Sequence, residues 1–262
     1  MTPRQDRPGQ AAERRFLLAP LDVQKLHGMR LGDADAEHAR VVLRMVAGDR
    51  CIGLDGAGHA WPLVLTCVDK RGVEVAADGQ GVSEPAPGED GAPLPWIELA
   101  VAMPRGSLAE TMIDGLVQLG AAALTPLVCE RSHPSARAEG RGKRARWPRI
   151  AGEACKQSGR LWNLQIGDDC DIEALARRGP ATWVRCDPRG NAGSLAGQAQ
   201  RSFTRAHPLV LLVGPEGGFT ADEERRIDAQ GALSIRLAPH VLRTETAAVA
   251  ALAVVIAEFL RP

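Results

Sequence analysis

The sequence predicts an α/β fold: a parallel-sheet domain in the C-terminal part of the chain, preceded by a small β-barrel domain. Three observations carry this expectation. From residue 96 onward, short apolar runs alternate with stretches of helical periodicity, the order that builds parallel sheets flanked by helices. Between residues 16 and 82 the runs are short, apolar or alternating, and are broken by glycine and aspartate. Between them, residues 83–95 (SEPAPGEDGAPLP) are rich in Gly, Pro and acids without any period, the composition of a linker.

The elements follow in order. Residues 1–15 are polar, lack the apolar core of a secretory signal and are expected to be a disordered tail. In the barrel, RFLLAP, RCIGLDGAG, AWPLVLTCV and GVEVAA read as strands, with the DG of Asp55-Gly56 a hairpin signal. Residues 35–45 are the exception: Ala39, Val42, Leu43 and Val46 fit one face of a helix. Beyond the linker, residues 96–104 read as a buried strand, residues 107–119 as a helix closed by Gly120, and residues 122–129 as a strand. A helix over 146–158, strands over 182–187, 208–213 and 233–238, and a final helix from about 246 to 260 complete the domain of residues 96–262. That last helix is apolar nearly all round, which predicts burial on every side.

Lys plus Arg and Asp plus Glu number 32 each, so the chain is formally neutral and its average charge argues against a nucleic-acid partner. The average hides a segregation. Residues 131–160 hold nine basic residues and two acids, an excess of seven positive charges that the rest of the chain offsets. The six cysteines are scattered with no paired spacing, which predicts neither a zinc site nor a disulfide scaffold and points to a reduced, cytoplasmic home. The longest apolar run, residues 247–257, is too short to span a bilayer, so no membrane association is expected.

The chemistry concentrates near the C-terminus, in LLVGPEGGFTADEE (211–224) and HVLRTETAAVAAL (240–252). A buried strand runs into Gly214, Gly217 and Gly218, and Thr220 with Glu223 then spells a capping box, so a helix starts where the glycines stop. Strand, glycine turn and helix N-terminus form a ligand-binding order. Two familiar ligands are excluded by the details. A phosphate-binding P-loop ends in GK[ST], and GFT is not that; a dinucleotide fingerprint is GxGxxG, and GPEGG lacks that spacing. Glu216 sits where a pyrophosphate would be repelled. A cationic, phosphate-free ligand such as S-adenosylmethionine (SAM) fits better.

PLVCERS (126–132), RWPRIAGEACKQSGR (146–160), GPEGGFTADE and LRTETAAVAAL, part of a match that runs in order over most of the chain, resemble the RsmE family, SPOUT-class methyltransferases acting on uridine N3 of small-subunit ribosomal RNA. The resemblance implies a PUA-like RNA-binding barrel at the N-terminus, a C-terminal trefoil knot and a homodimer. It implies a pocket for SAM built from Leu212, Gly214, Pro215, Glu216 and Gly217, from Leu237, Ala238 and Pro239, and from Leu242, Arg243 and Thr246. It implies RNA contacts by Arg15, Arg105 and Arg131 and by Arg146, Arg149, Lys156, Gln157, Ser158 and Arg160, with 16S rRNA or the small ribosomal subunit as partner and no metal. Trp147 and Trp162 are expected to pack under the helix in preference to stacking on bases.

Methylation at uridine N3 removes a proton from a weakly acidic ring nitrogen, so charge stabilisation and positioning dominate. Arg243 is the candidate catalytic residue, because a fixed guanidinium can meet a uracil carbonyl as the anion forms. Glu245 either orients Arg243 or accepts the proton; carboxylates are weak bases for so weak an acid, and the general base stays unassigned. Purely structural roles compete: Arg243 and Glu245 as an ion pair at the start of the last helix, and Thr244 and Thr246 as its caps. The chain departs from the family pattern at Gly115 and Gln118, where charges are usual, and at Ala238 and His240; Arg105 keeps the usual positive charge. A SPOUT methyltransferase with another RNA target and a non-catalytic RNA-binding protein remain the alternative readings.

Overall fold

The computed structural model describes residues 14–18, 27–132, 144–191 and 202–260. The expected N-terminal tail, apart from Arg14 and Arg15, and the basic residues Arg137, Arg141 and Lys143 lie outside the described residues. The chain divides into two units, Met1–Ser83 and Glu84–Pro262.

The first unit is one six-stranded sheet: β1 (Arg15–Leu17), β2 (His27–Arg30), β3 (Arg50–Leu54), β4 (His59–Asp69), β5 (Gly72–Ala77) and β6 (Val82–Ser83). The order is β1-β3-β4-β5-β2, with β6 on β4. Only β1 on β3 is parallel; the other pairs are antiparallel. Among the described residues this path stays open, with β1 and β2 at its ends, where a closed barrel was expected. The hairpin signal works through Asp55: its carboxylate accepts from Ala57 N at 2.7 Å and His59 N at 3.0 Å, reversing the chain between β3 and β4. Phe16, Leu63, Leu65, Val73 and Val75 form the core of the sheet's buried face.

The helix expected over 35–45 forms earlier and with a different register. α1 (Asp33–Glu37) passes into a π-helical turn, His38–Val42. Ala36 and Ala39 turn inward, whereas Val42 and Val46 stay 64% and 61% exposed. The wider π-turn rotates the face away from the 3.6-residue pattern.

The second unit is a six-stranded, all-parallel sheet. Its strands are β7 (Ile97–Val101), β8 (Ala123–Pro126), β9 (Gln165–Ile166), β10 (Thr182–Asn191), β11 (Leu209–Val213) and β12 (Leu233–Ile235), in the order β12-β10-β11-β7-β8-β9. Leu209–Val213 and Ile97–Val101 are buried at every position, as an internal parallel strand requires. One face carries α2 (Ser107–Leu119), α3 (Trp147–Ser158) and α6 (Thr244–Phe259); the other carries α4 (Ile172–Ala176) and α5 (Ala221–Asp228). Each fully buried Leu or Ile in these layers contributes about 2 kcal/mol.

Two glycines explain how α2 sits. Gly120 ends the helix with φ +96°, a left-handed cap that side chains resist. At Gly115 an added Cβ would stand 3.2 Å from Val249 Cγ2 of α6, so the missing side chain lets the two helices approach closely. This gives the Gly115 departure a packing reason. The segment expected as a linker has its own structure: Ala86 N donates to Glu89 Oε2 at 3.0 Å, Gly88 N donates to Leu94 O at 2.9 Å, and Leu94 packs on the core. α6 also differs from expectation, because it buries one side only. Ala248, Ala251, Leu252, Val255 and Ile256 are buried, whereas Val254 is 43% exposed. No helix among the described residues is long and apolar enough to cross a membrane.

Candidate cofactor and catalytic site

The C-terminal ends of β10, β11 and β12 open into one cavity of about 360 Å³. Such an edge, outside the carboxyl ends of parallel strands, is where sheets of this type bind ligands. β11 supplies the wall formed by residues 213–219, the segment after β12 supplies Arg236, Leu237, Ala238, His240, Val241 and Leu242, and the end of β10 supplies residues 185–189. Thr244 joins two of these loops: its hydroxyl donates to Gly214 O at 3.3 Å, across 30 residues of sequence.

The glycine loop folds as its residues require. Gly218 takes φ +71°. A Cβ on Gly214 would meet the Phe219 ring at 3.0 Å, so the bare backbone makes room for that buried ring beneath the cavity. The capping box forms as expected: Glu223 N donates to Thr220 Oγ1 at 3.3 Å, and Thr220 N donates to Glu223 Oε2 at 2.8 Å. Three acids, Asp222, Glu223 and Glu224, fill the first turn of α5, favourable against the helix dipole and unfavourable for a phosphate at the same spot.

Charged groups from the end of β10 define another side. Asp187 is 9% exposed, and burial works against its charge. The hydrogen bonds and charge of Arg189, aided by Arg185, outweigh that and hold the carboxyl below the usual carboxylate range. Arg189 also reaches Glu224 on α5, and Arg185 lies 3.1 Å from Asp228. Burial pushes the Cys186 thiol up to about 12, so it stays protonated and is no nucleophile. Among the described residues no cluster of His, Cys, Asp and Glu could hold a metal ion.

The cavity gathers most of the expected cofactor residues: Gly214, Pro215, Glu216, Gly217, Leu237, Ala238 and Leu242 line it. Leu212 is buried in β11 just before that wall. Pro239, Arg243, Glu245 and Thr246 are not in the lining. Arg243 occupies the N-cap position of α6, without a side-chain capping hydrogen bond, between two lining residues, Leu242 and Thr244, and its side chain is exposed. It makes no ion pair with Glu245, and neither Thr244 nor Thr246 caps the helix; Thr244 is spent on Gly214 instead.

Residues 91–256 match the family described as the RNA methyltransferase domain. Ribosomal RNA small subunit methyltransferase E of Synechocystis is 32% identical over 244 residues, 91% of this chain and 76% of that protein. The chain belongs to the ribosomal RNA small subunit methyltransferase E family. The Bacillus subtilis member is 28% identical, over 84% of this chain and 86% of its own length. A Legionella pneumophila methyltransferase solved with bound SAM matches with a TM-score of 0.80 at 27% identity, covering 94% of this chain and 97% of that one. The Neisseria gonorrhoeae methyltransferase E structure, also bound to SAM, matches with a TM-score of 0.73 at 27% identity, over 92% and 95% of the two chains.

The candidate RNA residues of this family member separate into two groups. Arg105, Arg146, Arg149 and Gln157 are exposed. The others have structural partners or sit deeper. Arg15 is half-buried in β1. Lys156 pairs with Glu153 at 2.8 Å, and the Ser158 hydroxyl donates to Ala154 O at 2.7 Å. Arg160 turns inward, donating from Nη1 to Val117 O at 3.1 Å and from Nη2 to Ala121 O at 2.6 Å, so it satisfies carbonyls at the end of α2. Burial lowers its pKa. Arg131 lies against the glycine loop. Trp147 is buried, and Trp162 donates its indole N–H to Glu84 O at 3.0 Å; both serve packing.

Sequence reasoning missed the end of β10. Residues 182–187 were read as a strand alone, yet Asp187-Pro188-Arg189 lines the cavity. The available signal was DPRG, turn-favouring residue types directly after the apolar run of that strand.

Proposed function

We propose that the protein is a SAM-dependent methyltransferase that methylates N3 of a uridine in 16S ribosomal RNA. The observation that carries this reading is the junction of the two C-terminal loops, tied by Thr244 to Gly214, around a single cavity at the sheet's carboxyl edge. The residues suit a sulfonium donor. Val213, Leu237, Ala238 and Leu242 give apolar walls, and Glu216 adds a negative charge that disfavours phosphates and favours a cation. SAM, when bound, supplies an electrophilic methyl group on a positively charged sulfur.

Arg243 acts on the nucleobase in this reading. Exposed at the start of α6 and beside the cavity, its guanidinium donates to a uracil carbonyl and stabilises the charge left as the proton leaves N3. Glu245, half-buried on the first turn of α6, orients the approach. The exposed Arg105, Arg146 and Arg149 contact phosphates. The open N-terminal sheet serves as a PUA-like RNA-binding module, and α6 belongs to a trefoil knot. Its exposed Val254 and the 66% exposed Leu260 suit the apolar face of a homodimer in the cytoplasm.

Mass analysis of 16S rRNA from a deletion strain tests the assignment. Loss of one N3-methyluridine, restored by the gene, is the expected result; an unchanged level would defeat it.

A further inference from the structure

Arg131 lies in the turn after β8, at the start of the basic segment, but its side chain points to the glycine loop. Nη1 donates to Gly217 O at 3.0 Å and to Phe219 O at 3.3 Å. Its stem packs there as well: a Cβ on Gly217 would meet Arg131 Cβ and Cδ at 3.4 Å. The preceding residue repeats the attachment, because Glu130 N donates to Glu223 Oε1 at 2.8 Å while the other oxygen of Glu223 closes the capping box on Thr220 N. Residues 217–223 are therefore gripped from a segment 86 to 93 residues away.

This grip falls where the chain most needs it. A run with Gly214, Gly217 and Gly218 loses more conformational freedom on ordering than a run without glycine, and this run is a wall of the cavity. A loop ordered only by its ligand draws on binding free energy for that ordering; a loop already ordered does not. Arg131 forms no ion pair with a carboxylate among the described residues, so its hydrogen bonds go to main-chain carbonyls that a lysine or a neutral residue would satisfy less well.

We propose that Arg131 is a positioning residue for the methyl donor, holding the glycine loop in its binding shape, and not an RNA contact. The inference rests on the donor-binding reading given above, and calorimetry with S-adenosylhomocysteine in the absence of RNA separates the two. A wild-type chain that fails to bind overturns the donor reading and this proposal with it. If the wild type binds, Arg131→Ala is expected to weaken binding about ten- to a hundredfold, with the KM for SAM rising while kcat at saturating SAM and the KM for RNA change little. Free guanidinium restores part of the affinity, and Arg131→Lys recovers less than arginine provides. Unchanged affinity for S-adenosylhomocysteine with a raised KM for RNA overturns the proposal. A lost affinity that neither guanidinium nor lysine improves also overturns it, since that pattern reports general damage to the fold.

Discussion

The glycine loop at residues 214–220 and the basic helix α3 (Trp147–Ser158) were both marked by composition, one by glycine and the other by charge, and they are built in opposite ways. The loop is held from outside: Thr244 bonds Gly214, Arg131 bonds Gly217 and Phe219, and Glu130 reaches Glu223. α3 and the residues just after it are held mostly from within or below, by Lys156 on Glu153, Ser158 on Ala154 and buried Trp147, while Arg160 closes the end of α2. Arginine thus does three different things within 30 residues of sequence. Arg131 shapes a binding loop, Arg160 satisfies buried carbonyls, and Arg149 faces solvent. A charge run measures how many cations a segment carries, not how many are available to a partner.

The largest effect that would break or sharpen this contrast belongs to the loop region. Arg243→Ala is expected to lower kcat by about 10²- to 10³-fold, the usual cost of losing one preorganised donor at developing charge, while affinity for S-adenosylhomocysteine changes little. Methylation assays paired with calorimetry check it, and retained activity would remove Arg243 from the chemistry. Next come Arg160 and Arg149 of the basic segment. Arg160→Met leaves two carbonyls without their charged donor and should cost about 3 kcal/mol of stability, seen as a lower melting temperature with RNA affinity per folded molecule unchanged. Arg149→Gln should leave melting unaltered and reduce the salt dependence of RNA binding by about one phosphate contact. Equal behaviour of the two variants would erase the distinction.

The smallest effect concerns Asp187. Its folded pKa lies below the unfolded value, so its ionised form stabilises the fold above the unfolded pKa, and that contribution fades as pH falls through the folded pKa. Asp187→Asn is therefore expected to melt below the wild type near neutral pH and to converge with it in strong acid. A constant gap across the range would show that Arg189 and Arg185 do not draw on the Asp187 charge.

Local rules settled a large part of this molecule. The buried runs at 97–101 and 209–213, the α2 boundaries with Gly120 as cap, and the Thr220 to Glu223 box each depend on residues within a few positions of one another, so they were legible in the chain. The register of α1 was not, because a π-turn changes the period itself, and the one-sided burial of α6 was not, because apolar composition states a preference without naming what covers it.

By itself the sequence determined which segments become strands and helices, where the glycine loop must bend, and which ligand chemistry the loop excludes. Only the tertiary structure decided which polar groups serve that loop. Thr244 was expected to cap a helix and instead bonds Gly214, Asp187 and Arg189 line the cavity at the end of β10, and Arg131 and Arg160 are turned to main-chain carbonyls. The reason is physical: propensity and capping act within a turn or two of chain, whereas a buried donor takes whichever acceptor the packed fold brings within about 3 Å, however distant in sequence.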